Sequence, residues 1–278
     1  MVTKNNINQK SYIYFHYSSD VKNELKQAVK DACLELKDKT KKNKAFFADI
    51  HMNICHSHDD LKGLSPFSIM FKKSKDENYT AGATITPLYK DQIKEIIIKT
   101  EDADTGILGF FRKDYSYNTI YEATLHELGH EFSHSFGEPL PPPDENMIAL
   151  MKKYAKEPPK GAPELLSART VLSGTEEFKE AWRKDVNKMK NMPDEEYEKL
   201  NYISPNLYSG IDVSDGVNDE ELEQAAPDRE EAFAQLFAYA LSGNKNVEWL
   251  DKQTILKSYS NAFEVVKSYI TKFLGIKL

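Results

Sequence analysis

The chain has 278 residues, and its 37 lysines and arginines against 44 aspartates and glutamates leave a net charge of −7. A hydrophobic share of 40% suffices for a packed core and excludes a disordered tail, while the acidic balance argues against nucleic acid or an anionic membrane as the main partner. Two cysteines, Cys33 and Cys55, cannot build a disulfide scaffold, and no apolar run approaches the ~18 residues of a membrane span. The first ten residues carry no apolar run, so the expectation is a soluble protein without a conventional signal peptide, either cytoplasmic or exported by another route.

In chain order, the pattern predicts a strand over 11–17 and then a helix over 21–36, with Val21, Leu25, Val29, Cys33 and Leu36 on one face. The lysine-rich stretch 37–44 reads as a solvated turn. Strands follow over 45–55, 81–88 and 94–100; the last is built around Ile96, Ile97 and Ile98, whose branched side chains suit a pleated sheet. From Tyr117 the signal turns helical. The first such helix spans 118–136, with Tyr121, Leu125, Leu128, Phe132 and Phe136 as its apolar positions, and Gly137 and Pro139 end it. Further helices are expected over 144–156, 175–190, 194–200, 228–241 and 252–274, and 211–223 reads as an acidic loop with a helical turn. The fold class is α+β, with a mixed sheet in the N-terminal half and a helical C-terminal half, in a single domain over 1–278.

One motif carries chemistry. His126-Glu127-Leu128-Gly129-His130 is an H-E-x-x-H on the predicted 118–136 helix. Two histidines four apart lie about 6 Å apart along the axis and nearly on one face, so both imidazoles can reach one Zn²⁺. Glu127 then flanks a water on that ion and serves as general base. A second frame overlaps it, His130-Glu131-Phe132-Ser133-His134, and three histidines so spaced cannot share one ion on a straight helix. The first frame is preferred, because small Gly129 leaves room for neighbouring backbone beside the second ligand.

A catalytic zinc takes a third protein ligand. A histidine ten residues after His126 would complete a metzincin-type site, but that residue is Phe136. An acid on a later helix is expected instead, and Glu231 is the first choice, at the edge of the apolar face formed by Ala232, Phe233, Leu236 and Phe237. Glu230 is an alternative, and Asp228 with Glu231 also fits a capping box at a helix start. Glu122 and Gln235, each one turn from a ligand, are candidates to hold the imidazoles from behind.

The run Thr124 to His130, followed by Glu231-Ala232-Phe233-Ala234-Gln235-Leu236-Phe237, resembles the protease domain of anthrax lethal factor and is similar to the secreted clostridial Pro-Pro endopeptidases. The resemblance implies a zincin-like metallopeptidase fold, Zn²⁺ as cofactor and a protein or peptide substrate. It also implies Glu231, in the family's Glu-x-Phe-Ala pattern, as third ligand, and a toxin or effector role. Two departures stand out. The span from His130 to Glu231 is longer than in those relatives, so 140–220 reads as an inserted helical subdomain. The family's oxyanion-stabilising tyrosine, seven residues before the glutamate, is Gln224 here. Tyr208 is the substitute proposed from sequence, with Tyr202 and Arg229 as alternatives.

Weaker groupings are His51, Cys55, His56 and His58 with Asp59 and Asp60 as a second metal site, against a polar strand edge; Pro141 to Pro143 as a polyproline segment, against a helix stop; and the acids of 212–223, which read as a solvated face. The rival functions are a zinc hydrolase of a non-protein substrate and a catalytically silent zincin-like binding module.

Overall fold

The computed structural model describes residues 12–56, 82–85, 94–102, 113–138, 170–190, 192–193, 195–196, 200, 216–243 and 252–278. The predicted helices over 144–156 and most of 194–200 fall outside them, as do Tyr202, Tyr208, His58, Asp59, Asp60 and Pro141 to Pro143.

The described chain is mixed α+β and helix-rich. Strand β1 (Ile13–Tyr17) leads into helix α1 (Asn23–Lys39), and a 3-10 turn (Lys44–Phe47) leads into β2 (Ile50–Cys55). Strands β3 (Gly82–Ile85) and β4 (Lys94–Lys99) complete a sheet of order β1-β2-β4-β3. The pairs β1–β2 and β2–β4 are parallel, while β3 runs antiparallel to β4 and ends the described sheet. A short ribbon, β5 (Glu101–Asp102) with β6 (Lys113–Asp114), precedes helix α2 (Tyr117–Phe136). After a 3-10 turn at Leu172–Gly174 come α3 (Glu176–Met189), α4 (Asp219–Gln224), α5 (Ala226–Leu241), α6 (Lys252–Ser258), α7 (Ser260–Tyr269) and a π turn over Ile270–Leu274.

Helix α2 is central, lying against β3 and β4 and packed between α1 and α5. Its start is set by Ser116, whose hydroxyl accepts from Thr119 N at 3.2 Å. Its end at Gly137 has a reason other than a left-handed turn: φ there is −61°, and a Cβ would sit 1.3 Å from the Thr170 carbonyl. The chain thus leaves this helix at Glu138 and returns at Thr170, which donates its N–H to Glu138 O at 2.8 Å. Met52, Ile54, Ile96 and Ile98 from the sheet, Leu125, Leu128 and Phe132 from α2, and Phe233 and Phe237 from α5 belong to one core. Leu172, Phe178, Trp182 and Leu222 join the same core.

The stretch expected as one helix over 252–274 is broken at Tyr259. Buried Asp185 of α3 accepts from Ala262 N at 2.8 Å, satisfying a free amide at the start of α7. Helix α5 begins at Ala226, with Pro227 in its first turn, so Asp228 lies inside the helix and not at its cap. A capping box is formed by Asn218 and Glu221, opening α4. No described helix is long and apolar enough to cross a membrane.

Helices α2 and α5 approach closely where they cross at Gly129. A Cβ on Gly129 would lie 2.9 Å from Ala234 Cα and 3.0 Å from its carbonyl oxygen, both backbone atoms that cannot swing aside. Gly129→Ala is therefore expected to lower unfolding free energy by about 1–3 kcal/mol despite alanine's better helix propensity, read from urea titration of the purified variant.

Candidate metal centre

The crossing of α2 and α5 brings together three donors remote in sequence. His126 Nε2 lies 3.1 Å from His130 Nε2 and 3.1 Å from Glu231 Oε2, and His130 Nε2 lies 3.6 Å from Glu231 Oε1. These three residues form the one His/Cys/Asp/Glu group among the described residues whose ligand atoms lie within 4.8 Å of one another. Donors at about 2.0–2.1 Å from a tetrahedral ion are separated by about 3.3–3.4 Å, so the distances suit zinc.

Ring orientation agrees with the distances. The two imidazole centres are 4.8 Å apart at 77°. With the nitrogens 3.1 Å apart, two lone pairs aimed at a common point about 2.0–2.1 Å away put the ring centres about 4.8 Å apart, whereas nitrogens in line would put them about 5.4 Å apart. His16 and His51 differ: Nε2 and Nδ1 are 3.0 Å apart, the rings lie within 15° and their centres are 5.1 Å apart, which is closer to an in-line hydrogen bond. Cys55 is buried with its thiol 3.7 Å from Ile98 O, so it does not join His51 in a second centre.

Each imidazole is held from behind, which settles its tautomer. His126 Nδ1–H donates to Gln235 Oε1 at 2.9 Å, and Gln235 Nε2 donates in turn to Glu122 Oε1 at 3.0 Å. His130 Nδ1–H faces Glu230 Oε1 at 3.4 Å. Both δ nitrogens are thus committed and both ε lone pairs are left to converge. Two ε lone pairs and a carboxylate at such separations repel one another unless a proton or a metal cation lies among them. That is the physical case that the donor set fits a metal.

The electrostatics point the same way. Burial raises Glu231, but the hydrogen bonds from His126 and His130 outweigh it and hold the carboxyl below its usual range. Burial lowers His130, yet Glu230 and Glu231 push it well above the ordinary imidazole value. The carboxylates favour positive charge at this point. Glu122 is pushed up to about 7, chiefly by burial, against the lowering effect of Gln235, Lys252 and His126.

Glu127 is buried, and burial pushes its carboxyl up despite the two neighbouring imidazoles. Its Oε2 accepts from Thr84 Oγ1 of β3 at 2.8 Å. Glu230 does not share Glu231's place. It points toward His130 Nδ1 and accepts from Ser133 at 3.3 Å and from Ser173 of the 3-10 turn. His134 Nε2 lies 3.5 Å from Glu230 Oε1 and stands apart from the three converging donors. Gln224 is exposed, its amide 3.5 Å from Glu220 within α4. Arg229, two residues and so about 200° round the helix from Glu231, is buried with Nε toward the Ser173 carbonyl at 3.4 Å.

Sequence patterning located His126, Glu127, His130 and Glu231, and helical spacing singled out Glu122 and Gln235. It missed Thr84 and Ser173, which carry no motif and reach the site only through tertiary packing. Comparison with protein-family models, with curated proteins and with solved structures finds no match to this chain.

His126→Ala is expected to abolish stoichiometric zinc binding while His134→Ala retains it, as read by metal analysis after dialysis. Gln235→Ala and Glu230→Ala, which leave the ligands in place, should each weaken zinc binding by about 10–100-fold in a competitive chelator titration.

Proposed function

We propose that the protein is a zinc-dependent endopeptidase of zincin-like fold. The observation that carries this reading is the convergence of His126, His130 and Glu231 with a buried carboxylate, Glu127, on the same turn of α2. Two imidazoles and one carboxylate leave a tetrahedral ion one position for water or substrate, as hydrolytic zinc centres require. A zinc ion held there supplies Lewis acidity, polarising a carbonyl and bringing the pKa of an attacking water toward neutrality.

The chain's own groups then divide the work. Glu127 accepts the proton of the attacking water and passes it to the departing amine. Its burial raises its affinity for that proton, and Thr84 restrains its carboxylate. Gln235 and Glu230 keep the imidazoles in register, and Glu122 anchors Gln235. A peptide substrate is supported by β3, which ends the described sheet beside α2 with one backbone edge that no described strand pairs, the kind of edge an extended chain can join. The family resemblance points to the same reaction.

Glu127→Gln is expected to retain one zinc per chain and its folded spectrum while losing about 10²–10⁴-fold in cleavage of a proteome-derived peptide pool, read by mass spectrometry. Undiminished cleavage by that variant would contradict the assignment.

A further inference from the structure

The hydroxyl of Thr84 meets Glu127 twice. Its Oγ1 lies 2.8 Å from the carboxylate Oε2 and 2.9 Å from the Glu127 backbone carbonyl. Thr84 sits in β3, paired with Ile96 of β4, and its partly buried side chain lies against α2. One hydroxyl has one proton, so it serves these acceptors in turn or unequally. An ionised carboxylate only accepts, and a protonated one also donates.

We propose that Thr84 is the positioning residue of Glu127: its hydroxyl donates to Oε2, 2.8 Å away, and fixes the carboxylate plane, leaving Oε1 for the water, with the Glu127 backbone carbonyl, 2.9 Å away, as the hydroxyl's second acceptor. This inference rests on Glu127 being the general base proposed above.

The geometry separates this role from simple packing. Valine has threonine's shape without its hydroxyl, and serine has the hydroxyl without the methyl. The zinc-loaded full chain should therefore lose about tenfold in kcat on Thr84→Val, with KM and zinc stoichiometry unchanged, as one charge-assisted hydrogen bond is removed. Thr84→Ser should restore most of the loss. In zinc-loaded protein without substrate, the Glu127 carboxylate band, isolated as the infrared difference against Glu127→Gln, should shift in Thr84→Val and return in Thr84→Ser. A kcat within twofold of the parent, an unshifted band, or a serine variant as impaired as the valine variant would overturn the proposal. If the parent cleaves no peptide, the peptidase reading fails, and the infrared comparison still decides whether Thr84 holds Glu127.

Discussion

The centre depends on how closely two helices can approach. Helices α2 and α5 cross where Gly129 faces Ala234, and any side chain larger than hydrogen at 129 would meet backbone. That contact lies between His126 and His130 on one helix and three residues beyond Glu231 on the other. A carboxylate side chain reaches only a few ångströms, so widening the crossing by a methyl group would draw Glu231 away from the imidazoles. The aromatic cluster of Phe132, Phe233 and Phe237 fixes the crossing from the core side, with the Phe132 and Phe237 ring centres 5.0 Å apart. Hydrophobic packing thus sets the spacing of polar donors, and the small residues set its lower limit.

Around that crossing the protein keeps an unusual density of acid away from solvent. Glu122, Glu127 and Glu131 on α2 are all buried, and the partly buried Glu230 and Glu231 of α5 face the imidazoles. Buried carboxylates are costly unless each has a partner. Glu131 is paired with Lys94 at 2.7 Å and Glu122 accepts from Gln235, while Glu230 and Glu231 share the imidazoles. The two histidines are supported asymmetrically, His126 by a neutral amide and His130 by a carboxylate. The carboxylate makes His130 the more electron-rich donor and strengthens its preference for a cation.

Much of this was legible in the sequence because it follows from helical periodicity. The spacing of Leu125, Leu128 and Phe132 places α2, and the same period puts His126 and His130 on one side of it. The strand around Ile96 to Ile98 declares itself by branched side chains. What patterning could not supply was anything set by tertiary approach. The capping-box alternative for Asp228 failed because the helix begins at Ala226, two residues earlier than the polar pattern suggests, with Pro227 in its first turn. The break at Tyr259 depends on Asp185, 77 residues before its partner Ala262, and no local signal announces it. Thr84 is in the same position: a threonine in a short strand becomes notable only once β3 is seen beside α2. Tyr208, proposed as the oxyanion donor from the sequence of its loop in place of the family tyrosine, lies outside the described residues.

The most direct measurement is zinc-edge X-ray absorption on the reconstituted 278-residue chain, combined with metal analysis. One zinc per chain is predicted, with an all-nitrogen and oxygen shell at about 2.0–2.1 Å and the multiple-scattering signature of two imidazoles. Substoichiometric metal, a shell without two imidazoles, or a sulfur neighbour at about 2.3 Å would contradict the assignment of His126, His130 and Glu231 as the ligands.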